Sequence, residues 1–155
     1  NYIINNAPET TMVSRQARNL LLRARKQMEE KSTMKAQTHM DMGKDFFRSG
    51  QYSLAEAEFS KALSLNPENA EAYKDIALLC YNQGRYQDAY EKSKKAIALD
   101  RTLKEAYVVL ASLYARKGRP DDALRTLKMV KEVSSRRDAV DELAEKMIAS
   151  LSPEY

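Results

Sequence analysis

The sequence predicts an all-α fold built from repeated helix pairs, and three observations predict it. Apolar residues recur at helical spacing rather than alternating. Turn formers are scarce, with four glycines and four prolines in 155 residues, so helices must be long and connections short. The chain also resembles itself every 34 residues, a period that marks stacked helical units.

Taken in order, residues 1–11 contain Asn5, Asn6 and Pro8 and read as a flexible lead or linker. Residues 12–35 read as a basic amphipathic helix with Val13, Ala17, Leu20, Leu21, Ala24 and Met28 on one face. Seven bases against two acids give residues 11–35 a net charge of +5, whereas residues 36–155 carry nineteen of each sign and are neutral. The whole basic excess therefore sits on this helix. Two placements are open to it. Ala17, Leu21 and Ala24 have the spacing of Ala55, Phe59 and Ala62, so the helix can stack on residues 36–69 as an unpaired second helix; or it runs on through Ser32 and Thr33 as a long arm.

Three copies of the repeating unit occupy 36–69, 70–103 and 104–137. Gly50, Gly84 and Gly118 form one column, placed to end a first helix in the left-handed conformation. Ala55, Ala89 and Ala123 form another, and Gly43, Ala77 and Ala111 a third; small residues in both helices of a pair let them approach closely. Met42, Ile76 and Leu110 are apolar, as are Phe46, Cys80 and Tyr114 in the next turn. Pro67 and Pro120 stand at expected helix starts, where proline is tolerated, and Asp121 and Asp122 complement a helix dipole.

The 34-residue period, the small residue in the first helix, the Ala55–Phe59–Ala62 spacing of the second and the closing Asn66-Pro67 resemble the tetratricopeptide-repeat (TPR) family. The resemblance implies a right-handed superhelix of helix-turn-helix repeats. It departs at His39, which replaces a large aromatic, and at Ser93 and Leu127, which replace Phe59 in later copies. Residues 138–155 complete the array as a capping helix and tail, with Ala139, Leu143 and Met147 on its inner side and Asp141, Glu142, Glu145 and Lys146 elsewhere.

Chemistry is sparse. His39 and Cys80 are the single histidine and cysteine, and both fall in packing columns. No metal-ligand spacing, phosphate-binding glycine loop or nucleophile elbow is present, so neither enzyme nor cofactor is expected. No apolar run reaches membrane-spanning length, and one cysteine suits the reducing cytoplasm. The chain opens on Asn1 without a methionine and reads as a piece of a longer protein.

The resemblance implies a concave groove lined by the first helices. Its residues here are Met40, Lys44 and Phe47; Lys74, Asp75, Leu78 and Tyr81; and Val108, Val109, Ser112 and Arg116. Each also has packing between helices as an alternative role. Together they suit a protein or peptide segment with apolar anchors. TPR domains that take the acidic C-terminal tails of Hsp70 and Hsp90 use basic and amide side chains to clamp two carboxylates. The corresponding residues here are Met40, Lys44, Asp75, Glu105 and Val109, with two acids and one base, so that partner is disfavoured. Two further expectations are self-association through the N-terminal helix or an array end, and a weaker anionic contact through Arg15, Arg18 and Arg25. Nucleic acid is disfavoured, because no aromatic stacking residues accompany these bases.

Overall fold

The computed structural model describes residues 7–133 and 137–151. Among them run seven helices and no strand: α1 (Ala7–Arg48), α2 (Tyr52–Leu65), α3 (Ala70–Asn82), α4 (Tyr86–Leu99), α5 (Lys104–Arg116), α6 (Pro120–Val133) and α7 (Ala139–Leu151). The C-terminal part of α1 packs on α2, α3 on α4 and α5 on α6. These pairs stack into an all-α superhelix that α7 closes against α5 and α6.

The glycine column makes the turns within pairs. Gly50, Gly84 and Gly118 have φ of 75°, 75° and 70°, and among the described residues positive φ occurs at glycine alone. Each turn repeats one hydrogen-bond pattern. Gly50 N–H donates to the Phe47 carbonyl at 3.1 Å and Gln51 N–H to the Phe46 carbonyl at 2.9 Å. Gly84 with Arg85, and Gly118 with Arg119, do the same. This pairing satisfies carbonyls that a helix end otherwise leaves bare. Turns between pairs use short polar side chains instead. Asn69 Oδ1 accepts from Ala72 N–H at 3.1 Å, capping α3. Pro67 lies in the turn ahead of this cap rather than at the helix start expected of it, whereas Pro120 does open α6.

Small residues set the spacing within pairs. Ala55, Ala89 and Ala123 are fully buried. A Cβ added to Gly43 would stand 2.5 Å from the Phe59 ring, so the first pair closes only because position 43 has no side chain. In the later copies alanine replaces this glycine and Ser93 or Leu127 replaces the phenylalanine. The loss of the ring therefore accompanies the gain of a methyl group.

Two expectations are corrected by the structure, and the placement left open for the basic helix is decided. The lead at 1–11 is helical from Ala7 onward, and residues 1–6 lie outside the described residues. The basic helix is continuous with the first repeat helix and does not stack on the array: residues 12–31 are all exposed. Contact begins where Ser32 Oγ donates to the Leu65 carbonyl at 3.3 Å, level with the end of α2. No breaker interrupts Ser32-Thr33, so the helix propagates, leaving an arm of about 30 Å at 1.5 Å per residue. Finally, α7 turns a different face inward. Val140, Ala144, Met147, Ile148 and Leu151 pack on the third pair, Asp141 is buried, and Leu143 is about half exposed. These apolar residues recur at helical spacing, and Lys104 Nζ, donating to Asp141 Oδ2 at 2.6 Å and to Asp138 Oδ2 at 3.2 Å, holds the same rotation.

Candidate peptide-binding groove

Among the residues expected to line the groove, the structure brings Lys44, Phe47, Asp75 and Leu78 together. With Arg48 and the edge of Phe59 they line a cavity of about 260 Å³ between α1 and α3. Its floor is apolar and its rim charged.

The rim charges are already engaged. Lys44 Nζ lies 3.4 Å from Glu71 and 3.9 Å from Asp75; Lys74 Nζ lies 3.2 Å from Glu71 and 3.3 Å from Asp75. Two ammonium groups thus alternate with two carboxylates. Burial pushes the Asp75 carboxyl above its ordinary value, against the attraction of Lys74 and Lys44. Glu71, more open, is held below its ordinary value: burial opposes this, but Lys74 and then Lys44 outweigh it. Asp75 Oδ2 is buried without a hydrogen-bond partner among the described residues. Lys44 is therefore a neutralised member of a network rather than a free anion receptor.

The aromatic residues also have neighbours. The Phe47 and Tyr52 ring centroids lie 5.6 Å apart, and those of Tyr81 and Tyr86, one repeat later, 5.8 Å apart. Each bridges the turn of its own pair, leaving one side partly open. The Arg116 guanidinium lies over the Tyr86 ring at 4.3 Å. Ser112 Oγ donates to the Val108 carbonyl at 2.8 Å, so its proton is used within α5.

Three residues expected in the apolar strip are instead core. Met40 is 1% exposed, Val109 6% and Val108 9%. Met40 and Val109 belong to the core shared by the first two pairs and α5, and Val108 to the core beneath α7. At 100° per residue a stacked helix turns more than one stripe inward, to its partner and to the neighbouring helices of the stack, and these positions fall on such inward stripes. The strip that remains is Phe47, Leu78 and Tyr81.

Sequence reasoning missed two features. His39 Nδ1 lies 2.6 Å from Glu58 Oε2, and Lys61 Nζ donates to Glu58 Oε1 at 2.6 Å. The pair holds α1 to α2, and the departure at His39 was its signal. A second concavity, of about 390 Å³, lies between α4, α5 and α6, with Ile97, Tyr107, Leu110 and Met129 beside Lys94, Arg101 and Arg125. Its residues come from three helices and share no sequence column. Of the three arm bases singled out, Arg15 and Arg18 are exposed, and Arg25 pairs with Glu29 at 3.0 Å. Among the described residues no cluster could hold a metal ion, and no helix is long and apolar enough to cross a membrane.

No curated protein matches the sequence. The solved structures it resembles include the Arabidopsis OM64 TPR domain, with 18% identity, TM-score 0.68, and 77% of this chain and 98% of that one covered. The yeast Sti1 TPR2B domain in complex with pHsp70 has 20% identity, TM-score 0.70, and coverage of 76% and 96%. The Yersinia enterocolitica type III secretion chaperone SycD, in complex with a peptide of the translocator YopD, has 16% identity, TM-score 0.67, and coverage of 74% and 90%. At these identities the likeness is one of fold. Two tetratricopeptide-repeat family models match residues 40–103 and 81–147. The repeated glycine turns, the alanine columns and these matches agree: the chain belongs to the tetratricopeptide-repeat family and is a protein-interaction module rather than an enzyme.

Proposed function

We propose that the chain is an adaptor or scaffold module that holds a peptide or protein segment in the groove formed by α1, α3 and α5. The observation that carries this reading is the cavity between α1 and α3, with Phe47, Phe59 and Leu78 lining an apolar floor beside a charge-balanced rim. An apolar anchor of about one side chain fits such a floor, while the rim offers polar contacts without a net field. Tyr81, one repeat on from Phe47, extends the strip. Sti1 and SycD, solved with a heat-shock protein and a translocator peptide, lend support by fold alone. The engaged state of Lys44 favours a partner other than an acidic Hsp70 or Hsp90 tail.

The test is the double variant Phe47→Ala with Tyr81→Ala, assayed against a partner recovered with the parent chain. Circular dichroism and melting come first, because both rings also brace their turns. Loss of a central aromatic anchor costs at least about 2 kcal/mol of binding, or roughly thirtyfold in affinity. A folded double variant that binds as tightly as the parent removes the groove from consideration. In parallel calorimetry a peptide ending in Glu-Glu-Val-Asp binds far more weakly than that partner; tight binding lost on Lys44→Ala reverses the exclusion of chaperone tails.

A further inference from the structure

The arm of α1 leaves the array with an apolar stripe that none of the described residues covers. Val13, Leu20, Leu21 and Met28 are 63%, 64%, 71% and 73% exposed, and Ala17 and Ala24 lie between them. Most helical stability in proteins comes from packing an amphipathic face, so a bare leucine stripe calls for a cover.

We infer that a second copy of this chain covers the stripe, the two arms pairing antiparallel about a two-fold axis between Leu20 and Leu21. The register of the stripe supports this pairing, because it reads the same in both directions about that axis. Val13 is set opposite Met28, Ala17 opposite Ala24, and Leu20 opposite Leu21. An isologous interface requires this self-complementarity, in which residue i meets j and j meets i. Small residues flank the central leucines symmetrically, so the backbones can come close where the leucines interdigitate.

The charges permit it. At 100° per residue the six stripe residues fall within an arc of about 100°. Arg15 and Lys26 fall on the opposite face, Arg18 and Arg23 well to the sides, and Gln16 and Gln27 border the seam. Arg25 and Lys26 are paired within the arm to Glu29 and Glu30, at 3.0 and 3.9 Å. Lys31 and Lys35 interrupt the stripe where the arm meets the array, which limits pairing to the arm. The outer bases of two arms still repel at a distance, and salt screens that repulsion. An acidic partner or an anionic surface gives the opposite dependence, since its attraction is what salt removes.

Sedimentation of the whole chain over a concentration series up to about 0.2 mM tests this, a range suited to the weak association expected of a small interface. The parent goes from monomer to dimer, more tightly at high salt. Leu20→Glu with Leu21→Glu stays monomeric with its helical array intact. Register is read by oxidative cross-linking: Ala17→Cys mixed with Ala24→Cys links about tenfold faster than either alone, since the close partner of each is the other. A parent that stays monomeric throughout, a dimer that survives the glutamates, preferential linking of like cysteines, or capture of the monomer by phosphatidylserine vesicles without dimer each overturns the proposal. None of these outcomes bears on Phe47 or Tyr81, so groove and arm are judged separately.

Discussion

A missing methyl group decides how closely the first pair packs. Gly43 lies under the Phe59 ring, which is 1% exposed and packed in the core shared by the first two pairs. Gly43→Ala brings two opposed effects. Alanine favours the helix by about 1 kcal/mol, while overpacking a filled core costs about 1–3 kcal/mol. Because the ring is stiff and buried, overpacking prevails, and Gly43→Ala lowers the urea midpoint by the equivalent of about 1 kcal/mol. Adding Phe59→Leu, the residue used at Leu127, relieves the clash, so the double variant is more stable than the two single changes sum to. Strict additivity would show that residues 43 and 59 do not compete for the same space. The glycine at 43 was legible as one of a column of small residues, and Ser93 and Leu127 as departures from the repeat; that they compensate is visible only in three dimensions.

Helices are joined by carboxylates whose protonation can be monitored. The hydrogen bond from Lys61, then that with His39, holds the Glu58 carboxyl below its ordinary value of 4.5, although burial opposes them. Lys104 holds Asp138 below 3.8 in the same way, chiefly through its hydrogen bond. A carboxyl depressed in the folded state contributes stability above its unfolded value and loses it as pH falls through the folded one. Asp75, raised by burial, works in the opposite sense and gives some stability back on protonation. With Glu58, Glu71, Asp100 and Asp138 depressed against Asp75 raised, the urea midpoint falls between about pH 5 and pH 3. Glu58→Gln is less stable than the parent at neutral pH and shows a shallower acid dependence. An acid limb of unchanged steepness in that variant would remove Glu58 as its source.

Across the molecule, each pair touches chiefly its neighbours, so a local weakness stays local. Lys104 is the clearest case. It stands where repeats one and two have Ala36 and Ala70, and it fastens the start of α5 to the start of α7. Asp138 in turn accepts from the Val140 and Asp141 backbone amides, at 2.9 and 3.2 Å. Lys104→Met leaves these carboxylates facing each other without their cation. Amide exchange across α7 then speeds up by about tenfold or more, with little change in α3. Equal acceleration in both helices would mean that the array opens as one unit.

The sequence by itself determined the all-α class, the 34-residue unit, the glycine turns and the alanine columns. Each of these is a local requirement repeated three times, namely a backbone that must take positive φ or a contact that admits no bulk, and repetition makes such constraints readable. What only the tertiary structure decided depends on which neighbour a residue meets. Met40, Val108 and Val109 share the helix period of groove residues but face neighbouring helices of the stack and are buried. The rotation of α7 is held by its own stripe of Val140, Ala144, Met147, Ile148 and Leu151 together with Lys104, a residue 37 positions from Asp141 whose contact is not readable from α7 alone. The arm was one of two placements equally open to a helix of that pattern, and it projects because α2 ends level with Ser32, with no described element beyond that point to pack against. Periodicity fixes the phase of a helix and not its partner, and the partner decides what is core and what is surface.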